Sequence, residues 1–225
     1  KYQVEFQSVF SHTLEPNDSI LVSSATFGDN HTFTFDGESF SGNAVKIEFD
    51  RNTEHWRLEA GYDHKTPTFR AENGFESSNN SRRIYGQSVW IYFPDNFFTQ
   101  VVGGFHTGVE HNFDGEQKAM YIVGFGNLTM HRQTRLNFQY ARRLQYRFKD
   151  MELNGTYDLK LNLNSQFSER YQFGTNVGRN VAPVHFIEVP EEGRLATNRF
   201  WVRMQASKRL NVGHSYNFQK MTTMD

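Results

Sequence analysis

The chain contains 225 residues, with 24 basic and 25 acidic side chains, a net charge of −1 and no cysteine. This balance gives no support to nucleic-acid binding, and the lack of cysteine excludes disulfide scaffolds, thiolate metal sites and cysteine nucleophiles. Aromatic residues make up 16% of the chain, yet its mean hydropathy is −0.70. A strand in a barrel wall alternates between lipid and a wet lumen, so this combination is typical of a transmembrane β-barrel.

Hydrophobic and polar residues alternate with a period of two in the first half of the chain, which predicts β-strands. Val45, Ile47 and Phe49 lie on one face of the first clear strand, with Lys46 and Glu48 on the other. In the next strand apolar residues oppose polar ones: Trp56, Leu58, Ala60 and Tyr62 against His55, Arg57, Glu59 and Asp63. A face of long charged side chains suits a watery interior, and an aliphatic and aromatic face suits lipid. A soluble β-protein with its apolar face inward would show the same alternation.

The alternation returns in the second half of the chain, in four further segments. Their apolar members are Leu136, Phe138 and Tyr140; Tyr157, Leu159, Leu161 and Leu163; Val202, Met204 and Ala206; and Leu210, Val212, His214, Tyr216 and Phe218. Turn signals such as Asp36-Gly37, Asp114-Gly115 and Asn154-Gly155 separate the segments. We therefore expect an all-β fold, an antiparallel transmembrane β-barrel of roughly 12–16 strands.

Two longer polar stretches predict loops. The first covers residues 76–83, and the second, over residues 178–198, is the candidate for a large surface loop or a lumen plug. No stretch approaches the roughly 18 consecutive apolar residues of a membrane helix. The N-terminus does not read as a signal peptide, and the C-terminus does not close on an aromatic residue. We expect a single barrel domain over residues 1–225, as a fragment of a longer chain truncated at one or both ends.

The polar sides of the predicted strands supply the candidate functional residues. The lumen-facing candidates are Lys46, Glu48, Arg57, Glu59, Arg135, Arg143, Lys160 and Arg203. These mixed charges would either pair across strands and hold the interior together, or line a pore and tune what passes. Their balance favours neither anions nor cations.

The histidines and serines do not form a recognisable metal-binding or catalytic motif. His106 and His111 flank Glu110, but their odd spacing places them on opposite faces of a regular strand. The chain has no H-E-x-x-H motif and no G-x-S-x-G elbow. We therefore predict no catalytic, metal-binding or cofactor-binding site and no cofactor. Aromatic pairs, among them Phe200 and Trp201, are interpreted as anchors at the membrane interfaces, with stacking on sugar rings as the alternative.

One part of the chain, residues 41–75, resembles a bacterial family of outer-membrane barrel proteins. The resemblance lies in three segments, Ser41–Arg51, His55–Leu58 and Phe69–Phe75. Members of that family carry a carbohydrate-binding family 9-like domain at the N-terminus and an outer-membrane barrel at the C-terminus. The resemblance implies an outer-membrane location and a link to carbohydrate. The sugar-binding domain itself is not in this chain, so no binding residues are transferred.

The function expected from these patterns is that of a bacterial outer-membrane β-barrel acting as a channel, transporter or membrane anchor. Its expected partners are outer-membrane lipid, small solutes or glycans, and other outer-membrane proteins, but not nucleic acid. Two alternatives stay open. One is the barrel part of an outer-membrane or carbohydrate-active enzyme. The other is a soluble secreted β-barrel that binds a hydrophobic ligand.

Overall fold

The structure of the protein, a computed structural model, is all-β, with 77% of the described residues in strands. It describes residues 1–18, 20, 23, 26–28, 31–70, 79–94, 96–148, 151–152, 154–184 and 191–223. Among these residues no helix is long and apolar enough to cross a membrane. The all-β class that the period of two predicts is therefore confirmed.

Among the described residues, eleven strands are long and three contain only two residues. In chain order they are β1 (Tyr2–Leu14), β2 (Thr26–Phe27), β3 (His31–Thr32), β4 (Ser39–Asn52), β5 (Trp56–Lys65), β6 (Ser81–Tyr92), β7 (Phe98–His111), β8 (Gln117–Met130), β9 (Thr134–Phe148), β10 (Met151–Glu152), β11 (Thr156–Ser165), β12 (Tyr171–Val184), β13 (Glu191–Ser207) and β14 (Leu210–Thr223).

The long strands form one antiparallel sheet in which chain neighbours are sheet neighbours. Its order is β1-β4-β5-β6-β7-β8-β9-β11-β12-β13-β14, with β10 paired to β9, while β2 and β3 form a separate pair. Fourteen strands are described, within the predicted range of roughly 12–16, but only eleven of them are long, and the sheet that they form is not closed into a barrel. The order ends at β1 on one side and β14 on the other. No pairing between these two end strands occurs among the described residues.

The chain forms two compact units. The first comprises Lys1–Arg51, Glu59–Gly86 and Gly108–Lys118. Its buried hydrophobic residues are Phe40 and Phe69. Gly42 is required beside Phe69, because a Cβ at position 42 would overlap the Phe69 backbone.

The second unit comprises Asn52–Leu58, Gln87–Thr107 and Ala119–Asp225. Its strand register sorts side chains by polarity, because cross-strand partners in a sheet point to the same face. The partners Leu161 and Phe138 belong to one face, and the partners Asn162 and Asn137 belong to the other. We call these the apolar face and the polar face.

Two predicted loops are shorter than the composition indicates. Residues 178–198 were predicted to be a loop or plug, but β12 continues to Val184 and β13 begins at Glu191. Only residues 185–190 of that stretch lie outside the described part of the chain. Likewise β6 begins at Ser81, within the predicted loop over residues 76–83, whose first three residues are not described. The loop prediction is therefore wrong for most of residues 178–198.

Candidate functional site

In the first unit, the side of β4 that carries Lys46 and Glu48 has a hydrogen-bonded cluster centred on Glu48. Lys46 Nζ lies 2.8 Å from Glu48 Oε2, and the Tyr85 hydroxyl donates a 2.7 Å hydrogen bond to the same oxygen. The Tyr85 ring packs directly over Gly61, where a Cβ would overlap it. Lys46 and Glu48, two of the predicted lumen-facing residues, thus form an ion pair.

A second ion pair lies beside this cluster. Arg83 donates from Nε and Nη2 to Asp63 Oδ2, at 3.0 and 2.6 Å. Its guanidinium also lies 5.0 Å from the centre of the Tyr85 ring. Glu59 has the same strand parity as Asp63 and is half-buried. Together these contacts tie β4, β5 and β6 of the first unit through their polar side chains, which is a structural role.

In the second unit, the polar face carries a row of amides. Five asparagines and one arginine are consecutive cross-strand partners: Asn127, Asn137, Asn162, Asn176, Arg199 and Asn217. Asn127 donates a side-chain hydrogen bond to Asn137. We call this set the asparagine row. Neutral amides both donate and accept hydrogen bonds, so the row suits contact with water or with a hydroxylated solute.

The adjacent row of partners surrounds an open recess of about 720 Å³. Arg135, Asn164, Gln172 and Trp201 line it on the polar face. Gly174 lies between Asn164 and Trp201 in the register, and a Cβ there would be 2.6 Å from Trp201 Nε1. The glycine therefore leaves the space that the indole occupies.

Trp201 has a different position from the one predicted. It was grouped with Phe200 as an interface anchor, but the two are consecutive in β13 and so point to opposite faces. Phe200 pairs with Tyr216 on the apolar face and is 48% exposed. Trp201 is half-buried beside Gly174 on the polar face. The grouping is wrong for Trp201.

Two further recesses show where the remaining predicted cations lie. Lys160 forms a 2.6 Å ion pair with Asp158, and both line one recess. Arg203 lines another recess together with Arg199 and Trp201. Arg203 was predicted from the sequence, whereas Arg199 was missed because it follows directly on the stretch interpreted as a loop.

Arg143 and Arg57 lie apart from these recesses. Arg143 is exposed, pairs in register with Thr156, and lies 5.5 Å from the centre of the Tyr146 ring. Arg57 is exposed near the start of β5. The eight predicted residues thus do not form one cluster. The structure brings together Lys46 with Glu48, and Arg203 with a neighbour that the sequence analysis missed.

No group of three or more histidine, aspartate or glutamate side chains in the described part of the chain could hold a metal ion. Comparison with known proteins finds no matching protein family, no matching curated protein and no matching solved structure. The resemblance of residues 41–75 to an outer-membrane barrel family therefore stays a prediction. The polar face of the second unit presents amides, guanidinium groups and an indole.

Proposed function

We propose that the chain forms the wall of a bacterial outer-membrane β-barrel whose polar face lines a lumen through which solutes pass. The observation that carries this proposal is the separation of side chains between the two faces of the sheet. On the apolar face Phe200 and Tyr216 are cross-strand partners, 48% and 58% exposed. Large apolar side chains exposed in contiguous rows mark a surface that meets lipid or a partner.

The dimensions of the strands agree with this proposal. On β14 the apolar face runs from Leu210 to Phe218 and includes His214, and it is bounded by Arg209 in the preceding turn and by Lys220. From Arg209 to Lys220 an extended strand covers about 36 Å, or about 28 Å of depth when tilted by about 40°. That depth matches the apolar band of a transmembrane barrel, about 25 Å tall.

The two end strands bear on how such a barrel would close. β1 and β14 are both long, and their side chains are almost entirely exposed. Long exposed edges of this kind promote aggregation unless another strand covers them. A closed barrel has no such edges, so we propose that β1 and β14 pair with further strands when the barrel closes.

Two measurements test the proposal. The chain is refolded with and without detergent, and its β-structure is followed by circular dichroism together with heat-dependent migration on gels. We expect a folded state only in detergent or lipid, and discrete single-channel steps in a planar bilayer. A chain that folds and stays monodisperse without detergent would contradict the membrane assignment and favour a soluble ligand-binding β-protein. Folded protein that is silent in the bilayer would contradict the open lumen and leave the anchoring role.

A further inference from the structure

The polar face of the second unit is strongly cationic, although the whole chain has a net charge of −1. On the polar sides of β9, β11, β12, β13 and β14, the charged residues described are Arg135, Arg143, Asp158, Lys160, Arg199 and Arg203. Five cations thus share the carboxylate of Asp158, which is already paired with Lys160 at 2.6 Å. The other carboxylate with this strand parity belongs to Glu191, eight residues from Arg199 at the start of β13. None of the described side chains on these strands therefore offers a carboxylate beside Arg135, Arg199 and Arg203.

Two of these arginines flank Trp201 on its own strand, and a third lies in the same row three strands away. Arg199 and Arg203 are each two residues from Trp201 on β13, so their Cα atoms lie about 6.6 Å from its own. Arg135 lies in the same row as Trp201, three strands away, at a backbone distance of about 14 Å. Arg199, Trp201 and Arg203 line one recess, and Arg135 and Trp201 line the larger one.

Small residues keep the space beside the indole open. Gly174 on one side and Ser215 on the other are the cross-strand partners of Trp201, and Gly213 is the partner of Arg203. A residue with a larger side chain at position 174 would collide with the indole, since a Cβ alone would lie 2.6 Å from its nitrogen. The indole therefore occupies the space over Gly174, whereas Gly213 and Ser215 on the β14 side line the recess and leave room for a ligand beside the ring.

We propose that the two recesses that meet at Trp201, one lined by Arg199 and Arg203 and the larger one by Arg135, bind an anionic saccharide. The sugar ring stacks on Trp201, and its carboxylate or phosphate accepts hydrogen bonds from the guanidinium groups of Arg199 and Arg203. Arginine presents a planar fork of donors that matches both oxyanions. The amides of Asn164 and Gln172, together with the asparagine row, supply donors and acceptors for the hydroxyl groups.

This inference deepens the proposed function and rests on it for solute access, because the polar face is reached through the lumen. It also replaces the expectation that the charge pattern favours neither sign of ion. A cationic recess raises the local concentration of anions, and the effect falls as salt screens the exposed charges.

The test is isothermal titration of the detergent-folded chain with three probes: trigalacturonate, glucose 6-phosphate and neutral maltotriose. We expect at least one of the two anions to bind, and maltotriose to bind at least tenfold more weakly. Preference between the two anions tells a carboxylate from a phosphate ligand. Raising the salt concentration from 50 to 500 mM is expected to weaken anion binding severalfold.

Variants distinguish anion binding at the two recesses from general electrostatic attraction of anions to the polar face. Arg203→Gln should weaken anion binding at least tenfold, whereas Arg143→Gln, which removes the same charge from the same face outside both recesses, should stay within twofold. Trp201→Phe should retain part of the affinity and Trp201→Ala should lose it, with folding checked by circular dichroism.

Three results would overturn the inference: no binding of either anion, equal binding of maltotriose, or equal losses in the two arginine variants. A chain that conducts in bilayers but binds no anion would contradict the anion-binding inference and leave the membrane proposal standing. A chain that binds the anion but folds without detergent would sink only the membrane proposal.

Discussion

The assignment of the apolar face to lipid can be tested at Leu161, near the middle of the ten-residue strand β11. Its side chain is 40% exposed, and its cross-strand partners are Phe138 and Val177. Each end of β11 is about 13–16 Å away along the strand, or about 10–13 Å in depth at a tilt of about 40°. Arginine on the lipid face costs about 2–4 kcal/mol at the midplane and about 0–1 kcal/mol near the interfaces. We therefore expect Leu161→Arg to lower the free energy of unfolding by about 2–3 kcal/mol.

The matched control is Asn162→Arg, on the next residue and the opposite face. Its side chain would enter the polar face beside Asn137 and Asn176, where water solvates the charge, so we expect a loss below about 0.5 kcal/mol. The assay is urea unfolding of both variants and the parent in lipid vesicles, followed by tryptophan fluorescence. Equal losses at the two positions would refute the assignment of the faces, and a larger loss at position 162 would invert it.

Two further predictions concern the Glu48 cluster of the first unit. Gly61→Val should lower the free energy of unfolding by about 1–3 kcal/mol, because the new side chain displaces the Tyr85 ring. Gly103→Val is its control and should be nearly neutral, since nothing lies within 4 Å of a Cβ there; equal losses would show that the strand glycines matter for another reason. Tyr85→Phe should cost about 1 kcal/mol through the lost hydrogen bond to Glu48, measured in the same unfolding assay. No loss would mean that Lys46 alone satisfies that carboxylate.

Local alternation predicts a strand well where the segment itself carries the pattern. Residues 45–49 and 56–62 alternate cleanly, and they lie in β4 and β5. The first part of β13 was missed because Glu191, Glu192 and Gly193 have the composition of a loop. In the structure Gly193 pairs with Ala182 on one side and with Thr223 on the other, so the strand is held by its neighbours in the sheet rather than by its own sequence. Propensity in strands depends on such context more than it does in helices.

Prediction of which candidate residues lie together is limited in the same way, because it also depends on the register of the sheet. The pairing of Lys160 with Asp158 lies within one strand, two residues apart, and a period of two already places both on one face. The asparagine row joins six positions from six strands, and only the register reveals it. The cationic recess also depends on the register, because Arg135 and Trp201 are far apart in sequence. Composition alone, with its balanced charge, therefore predicted no preference for anions.

The central claim is that the two faces of one strand meet different solvents, and the absence of cysteine in the chain allows a direct test. Leu161→Cys and Asn162→Cys, each labelled with the environment-sensitive dye NBD and folded into vesicles, place a single probe on either face of β11. We expect the probe at position 161 to be quenched by nitroxide-labelled lipid and not by aqueous iodide, and the probe at position 162 to show the reverse. Quenching of both probes by iodide alone would contradict a membrane-spanning sheet.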